Sequence, residues 1–211
     1  MKIIFVIFAL AMSAFTANLT EQITKLTNLT ANNKEATINL GNLKIGQSGI
    51  VINNDLQGKQ VILCYATVIS SDNNNSIIKF DFREIIEQSA IPKTKLLPKN
   101  GDTFIINHLY KNSMIIAPNF KAITKIKQLY SNFNFLDIDL FGAYLKINNT
   151  PAPKKEDIVT FAHLNDLGSI FLVENKNLHI LDAISLTKIE TIPFEIDDNT
   201  TISPFQTNVE D

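Results

Sequence analysis

One cysteine and three histidines are the residues best suited to nucleophilic or metal chemistry in this 211-residue chain. Cys64 lies in the apolar run Val61-Ile62-Leu63-Cys64-Tyr65-Ala66 and, as a strand, shares a face with Ile62, Ala66 and Val68. A thiol among such neighbours fills space, and low-dielectric surroundings raise its pKa rather than activate it. His108, His163 and His179 stand singly, with no second ligand at a metal-binding step such as H-x-x-x-H. His108 and His179 fall in predicted strands, and His163 near a helix end. His179 precedes Asp182 by three residues, an odd step that puts the two on opposite faces of a strand.

Other motifs also resolve into structural roles. Asp72-x-Asn74-x-Ser76 copies the opening of a calcium loop, but Ile77 takes the glycine position and Arg83 the closing acid. A hairpin loop accounts for it. Gly46-x-x-Gly49 lacks the third glycine of a dinucleotide fingerprint and reads as a turn. Asp137 and Asp139 read as caps of the helix that starts there. Asn18, Asn28, Asn74, Asn148 and Asn199 open glycosylation-type triplets, which an Asn-rich chain produces by chance. No catalytic, cofactor-binding or metal-binding residue is assigned, and the chain reads as non-enzymatic with no cofactor.

The elements that carry these residues change character along the chain. Lys2 followed by the apolar run Ile3 to Met12 and small residues at Ser13, Ala14 and Ala17 has the order of a secretory leader. Even counted through Ala17 the segment is about 15 residues, short of the roughly 20 that span hydrocarbon, so cleavage of 1–17 is expected and no transmembrane anchor. Residues 18–35 are polar, with Leu19, Ile23, Leu26 and Leu29 at loose helical spacing, and read as a flexible or weakly helical lead-in. From 36 to 117 the period falls to two. Short strands are predicted at 37–40, 50–52, 59–70, 77–83, 103–110 and 114–116, forming a small antiparallel β-barrel or sandwich. After Pro118, helices are predicted over 123–133, 139–146 and 154–164. Strands return at 169–173, 178–181 and 188–192, with Asn175-Lys176-Asn177 as a hairpin tip. This second subdomain, 118–196, is helices packed on an antiparallel sheet, and the fold class is α+β. Residues 197–211 read as a loose tail.

Charge narrows the partner. Lys and Arg number 19 against 21 Asp and Glu, and Arg83 is the only arginine, so the basic excess needed for nucleic acid is missing. A single cysteine forbids an intrachain disulfide, leaving stability to the core.

Five segments then carry a resemblance: Leu43 to Val51, Ile91-Pro92 leading to Lys99-Asn100-Gly101-Asp102, Ile115 to Asn119, Asn177 to Leu181, and Ser203-Pro204-Phe205. In order and spacing, over about 38–206, the chain resembles the N-terminal domain of the plasminogen-binding protein family of Helicobacter, Campylobacter and related bacteria. The resemblance implies an exported, periplasmic or surface-associated protein without enzymatic activity, partnered by host plasminogen. Relatives credited with that binding carry a Lys-rich extension, and kringle domains favour a C-terminal lysine. This sequence ends on Val209-Glu210-Asp211. The remaining candidate is the pair Lys154 and Lys155, beside Glu156 and Asp157, as an internal imitation of that ligand, although a solvated helix start also explains it. The alternative partner is a bacterial envelope component, with the chain as a periplasmic scaffold or assembly part of a machine such as the flagellar motor.

Overall fold

The computed structural model describes residues 19–56, 59–82, 96–195 and 204–209. The expected leader, 1–17, lies outside them. Six strands close into an antiparallel barrel in the order β1-β2-β5-β4-β3-β6. They are β1 (Gln22–Thr27), β2 (Glu35–Ile38), β3 (Ser48–Leu56), β4 (Lys59–Ser71), β5 (Ser76–Asp81) and β6 (Thr103–Ile106). Period-two alternation drives them: in β5, Ser76, Ile78 and Phe80 are buried while Ile77 and Lys79 face water. Leu26, Ile38, Val51, Ala66, Val68, Ile78, Phe104 and Ile106 are each no more than 1% exposed and fill the barrel. Burying one such Leu, Ile, Val or Phe side chain contributes about 1.5–3 kcal/mol.

The lead-in is corrected. Residues 22–27 are neither helical nor unattached: β1 pairs with β6 from Gln22↔Ile106 to Lys25↔Thr103, and with β2 through Leu26↔Ile38. The period-two signal was hidden because Leu26 is its one apolar core residue, while the apolar Ile23 points outward at 70% exposure. Closing the barrel supplies backbone partners that local propensity does not reveal.

A second correction concerns Cys64. It is buried with Ala66 and Val68 as expected, but Ile62 is 51% exposed and Leu63 takes the inward position. The β3–β4 register passes from Val51↔Cys64 to Ile52↔Ile62, so Leu63 is an extra residue that flips the alternation. Burial, with smaller contributions from Asp81 and Asp102, pushes the Cys64 thiol up to about 12, consistent with a filler role.

The second layer is a five-stranded sheet, β11-β10-β9-β7-β8, formed by β7 (Asn112–Ile116), β8 (Asn134–Leu136), β9 (Ser169–Glu174), β10 (Asn177–Asp182) and β11 (Lys188–Pro193). Its helices are α1 (Phe120–Leu129), α2 (Ile138–Ile147) and α3 (Lys155–Leu164). The α+β class is as the sequence indicates. The 114–116 strand, however, belongs to this sheet rather than to the barrel, so the chain changes layer before 112, not at 117. Positive φ at Asn107 and Leu109 ends β6 early and turns the chain across. The sheet is also mixed: β7 runs parallel to both β8 and β9 because α1 and the α2–α3 pair are crossover connections. At the β9–β10 hairpin, Asn175 and Lys176 both have positive φ, as a two-residue turn between twisted strands requires.

Asn119 caps α1 by accepting from the Ala122 amide at 2.9 Å. Asp137 caps α2 through the Asp139 amide. Asp139 itself does something the sequence reading missed, and with it the loose-tail expectation for 197–211 is corrected over 204–209. Its carboxylate accepts from the Asn208 backbone amide at 2.7 Å, the Asn208 side-chain amide at 2.9 Å and the Thr207 hydroxyl at 2.8 Å. Phe205, 2% exposed, stacks on Phe141 with ring centroids 5.5 Å apart. One buried aromatic and three donors hold a polar segment that composition alone marks as loose.

Those bonds, the Asn208 backbone amide first, lower the Asp139 pKa from 3.8. A carboxyl depressed on folding stabilises above its unfolded value, and that contribution disappears as pH falls through the folded value. Exchange protection of the Asn208 amide should therefore hold steady down to about pH 4 and fall away below it. Asp139→Ala should remove that protection at every pH. Protection that rises on acidification would contradict the clasp.

Candidate functional site: a buried carboxyl junction and an exposed lysine pair

Asp182, at the end of β10, is fully buried where the second sheet meets the barrel. One oxygen, Oδ1, accepts from the Ile184 and Ser185 backbone amides at 2.9 and 2.8 Å, fixing the turn into β11. The other, Oδ2, accepts from the Ser48 amide at 2.9 Å, the Ser48 hydroxyl at 2.5 Å and the Tyr110 hydroxyl at 2.6 Å. One carboxyl thus ties the barrel strand β3, the 107–111 turn and β10 together. Burial first, then the Asp182 charge, raises the Tyr110 pKa well above 10, so its phenol stays a donor.

Gly46 completes the junction from the barrel side. Its φ of +95° suits glycine, and a Cβ there would lie 2.1 Å from the Thr187 hydroxyl. The Ser185 hydroxyl donates to the Gly46 carbonyl at 2.7 Å. The turn lies at 44–47, earlier than the Gly46-x-x-Gly49 spacing suggests, because Ser48 and Gly49 already belong to β3, and it is a docking point as well as a reversal.

Beside the junction a cleft of about 30 Å³ is lined by Ser48, Tyr65, His108, His163 and Asp166, among others. A serine, two histidines and an acid in one cleft invite comparison with a hydrolase. The geometry points elsewhere. The Ser48 hydroxyl donates to Asp182, not to an imidazole, and Ser48 is only 3% exposed. His108 lies 3.2 Å from the Glu21 carboxylate, and the His163 ring meets Tyr65 edge-on at 5.3 Å. The space admits about one water. His179 is remote, its Nδ1 2.9 Å from the Thr191 hydroxyl, with burial and then Lys188 lowering its pKa. Among the described residues no three His, Cys, Asp or Glu side chains gather as metal ligands.

The 72–75 loop is a hairpin loop, as expected. Asp72 Oδ1 accepts from the Asn74 and Asn75 amides, both at 2.7 Å, and these bonds lower its pKa. Lys154 and Lys155 are exposed at the start of α3, where the Asp157 carboxylate accepts from the Lys154 backbone amide at 2.8 Å. Glu156 is exposed beside them. Asp182, the residue on which the junction turns, was missed because its partners are 134 and 72 positions away in sequence. The only local signal was an acid followed two and three residues later by amides it could cap.

The molecule so defined is an α+β protein in which a closed six-stranded barrel is joined through one buried carboxyl to a helix-covered mixed sheet. Among the described residues no helix is long and apolar enough to cross a membrane. The chain belongs to the plasminogen-binding protein PgbA N-terminal family, whose model matches residues 21–211. It is 26% identical over 169 residues to the plasminogen-binding protein PgbA of Helicobacter pylori strain J99, covering 80% of this chain and 37% of that protein. The corresponding protein of strain 26695 is 24% identical over 169 residues, covering 80% and 36%. This chain therefore spans little more than a third of the length of the curated relatives it matches. No solved structure matches it significantly.

Proposed function

We propose that the chain is an exported, non-enzymatic protein-binding module of the periplasm or cell surface, and that its partner is host plasminogen. The observation that carries the reading is family membership across 21–211, with relatives named for plasminogen binding. Lys154 and Lys155 are the proposed contact. Kringle sites that favour lysine take an ammonium together with a carboxylate, each through charge-assisted bonds. The N-cap and first turn of α3 offer both, with the exposed Lys154 and Lys155 next to the exposed Glu156. Asp157 holds the backbone at this point, so the pair projects from a fixed helix start rather than a loose loop.

Plasminogen captured by the immobilised full chain should be released by a lysine analogue. Lys154→Ala/Lys155→Ala should weaken capture by at least about tenfold, equivalent to about 1.4 kcal/mol, without altering the melting curve. Capture that ignores both the analogue and the double substitution would remove the lysine site. No capture at all, with bacterial envelope proteins crosslinked to the chain in intact cells, would move the assignment to an envelope scaffold.

A further inference from the structure

A second concave site lies on the outside of the barrel, away from the lysine pair. It is a cleft of about 280 Å³ where Asn28 and the β2, β4 and β5 strands meet the 72–75 loop. Asn28, Asn39 and Asn75 line it, all three residues are exposed, and none of their side-chain amides bonds to another described residue. Thr37 and Ser70 add hydroxyls. Asp72 supplies one carboxylate whose Oδ1 is saturated by two backbone amides, which aims the remaining oxygen in a fixed direction. Ile77, 40% exposed, gives the cleft an apolar patch.

The rim is held in place independently of any ligand. The Asn42 amide donates to the Asp72 carbonyl at 2.7 Å, and the Asn42 side chain donates to the Asn73 carbonyl at 3.3 Å. The Leu43 amide donates to the Ser71 hydroxyl at 3.0 Å, and the Ser76 hydroxyl to the Leu40 carbonyl at 2.6 Å. Gly41 lies so close that a Cβ would be 2.2 Å from the Asn73 backbone. Loop 40–43 therefore braces the hairpin that carries Asp72 and Asn75. A braced rim loses little entropy when something binds.

We propose that this cleft binds a neutral, hydroxyl-rich ligand of the saccharide class. Each sugar hydroxyl both donates and accepts, and amides and hydroxyls are the side chains that answer in both senses. Among the described residues no lysine or arginine lines the cleft, which disfavours phosphates and other anions. No aromatic ring among the described residues lines it, and one isoleucine suffices for the C–H face of a sugar but not for an apolar peptide or a lipid chain. At about 280 Å³ the space suits one or two sugar rings rather than a long glycan.

Titration of the full chain with N-acetylglucosamine, chitobiose and galactose, followed by backbone amide shifts, tests the site. At least one sugar should give saturable shifts confined to Asn28, Asn39, Asn75, Ile77 and their neighbours, with Kd of about 1 mM. Asn39→Ala/Asn75→Ala should weaken that binding by at least about tenfold with no change in melting temperature. Asp72→Asn keeps the Oδ1 acceptor that shapes the loop and changes only the free oxygen, so it should weaken binding while leaving loop shifts in place. Absence of saturable shifts with all three sugars overturns the proposal. So does binding that survives the double substitution.

Discussion

Asp182→Ala should destabilise the protein by about 3–5 kcal/mol, measured by urea unfolding of the full chain. The substitution takes away the acceptor of five hydrogen bonds at a position with no solvent access. Bulk water does not reach these donors, since Ser48 is 3% and Tyr110 1% exposed, and the neighbouring cleft holds about one water, too few for five lost bonds. Leaving a buried donor unsatisfied costs about 1–3 kcal/mol. The two hydroxyls can rotate toward other acceptors, whereas the Ser48 amide keeps only a long 3.5 Å contact to the Tyr110 hydroxyl oxygen and the Ile184 and Ser185 amides lose Oδ1. Tyr110→Phe removes one donor together with its need for a partner and should cost only about 1–2 kcal/mol. The ordering matters more than either value. If Asp182→Ala cost no more than Tyr110→Phe, the carboxyl would not be the tie between barrel and sheet. A biphasic unfolding curve in Asp182→Ala alone would show the two layers parting when the tie is cut.

How legible this was depends on the range of the interactions involved. Strands such as 76–81 and helices such as 138–147 and 155–164 declare themselves, since their period and caps are local and their neighbours agree. The hairpin at Asn175-Lys176 is legible for the same reason. Features set by distant partners are not. Gln22-Ile-Thr-Lys-Leu-Thr becomes a strand because β6 lies alongside it, about 80 residues later in the chain. Residues 112–116 join the second sheet rather than the barrel because β9 and β8 flank them in parallel, an arrangement no hairpin signal announces. The same holds for sites. Lys154 and Lys155 were visible as a charged pair at a helix start, and the structure leaves them exposed there. The saccharide cleft was invisible as a cleft: its asparagines come from three separate segments, and in an Asn-rich chain none stands out alone. The one loop motif that did attract notice, Asp72-x-Asn74-x-Ser76, has its acid committed to the turn and only one oxygen left to face outward.

Phe171→Ala should cost about 3–5 kcal/mol, the range for deleting a large aromatic from a packed core. Phe171 lies on β9 with no solvent exposure, and three rings meet it edge-on: Tyr130 at 4.9 Å, Phe133 at 5.2 Å and Phe135 at 5.1 Å. Each edge-on contact adds about 0.5–1.5 kcal/mol beyond area burial, so the ring joins α1's end, the following turn and β8 to the sheet. The helical spacing that predicts 123–133 runs on through Tyr130 and Phe133, yet α1 stops at Leu129, and β8 is a strand of only three residues at the edge of the sheet. Losing Phe171 should therefore loosen this edge before the rest. Amide exchange should accelerate over 130–136 more than over β10, while the barrel amides stay protected. Phe171→Leu keeps much of the volume without the ring edges, and should lose less stability than Phe171→Ala but still more than about 1 kcal/mol. A uniform rise in exchange across both layers would mean that the sheet has no separately yielding edge, and that Phe171 is packing material rather than its anchor.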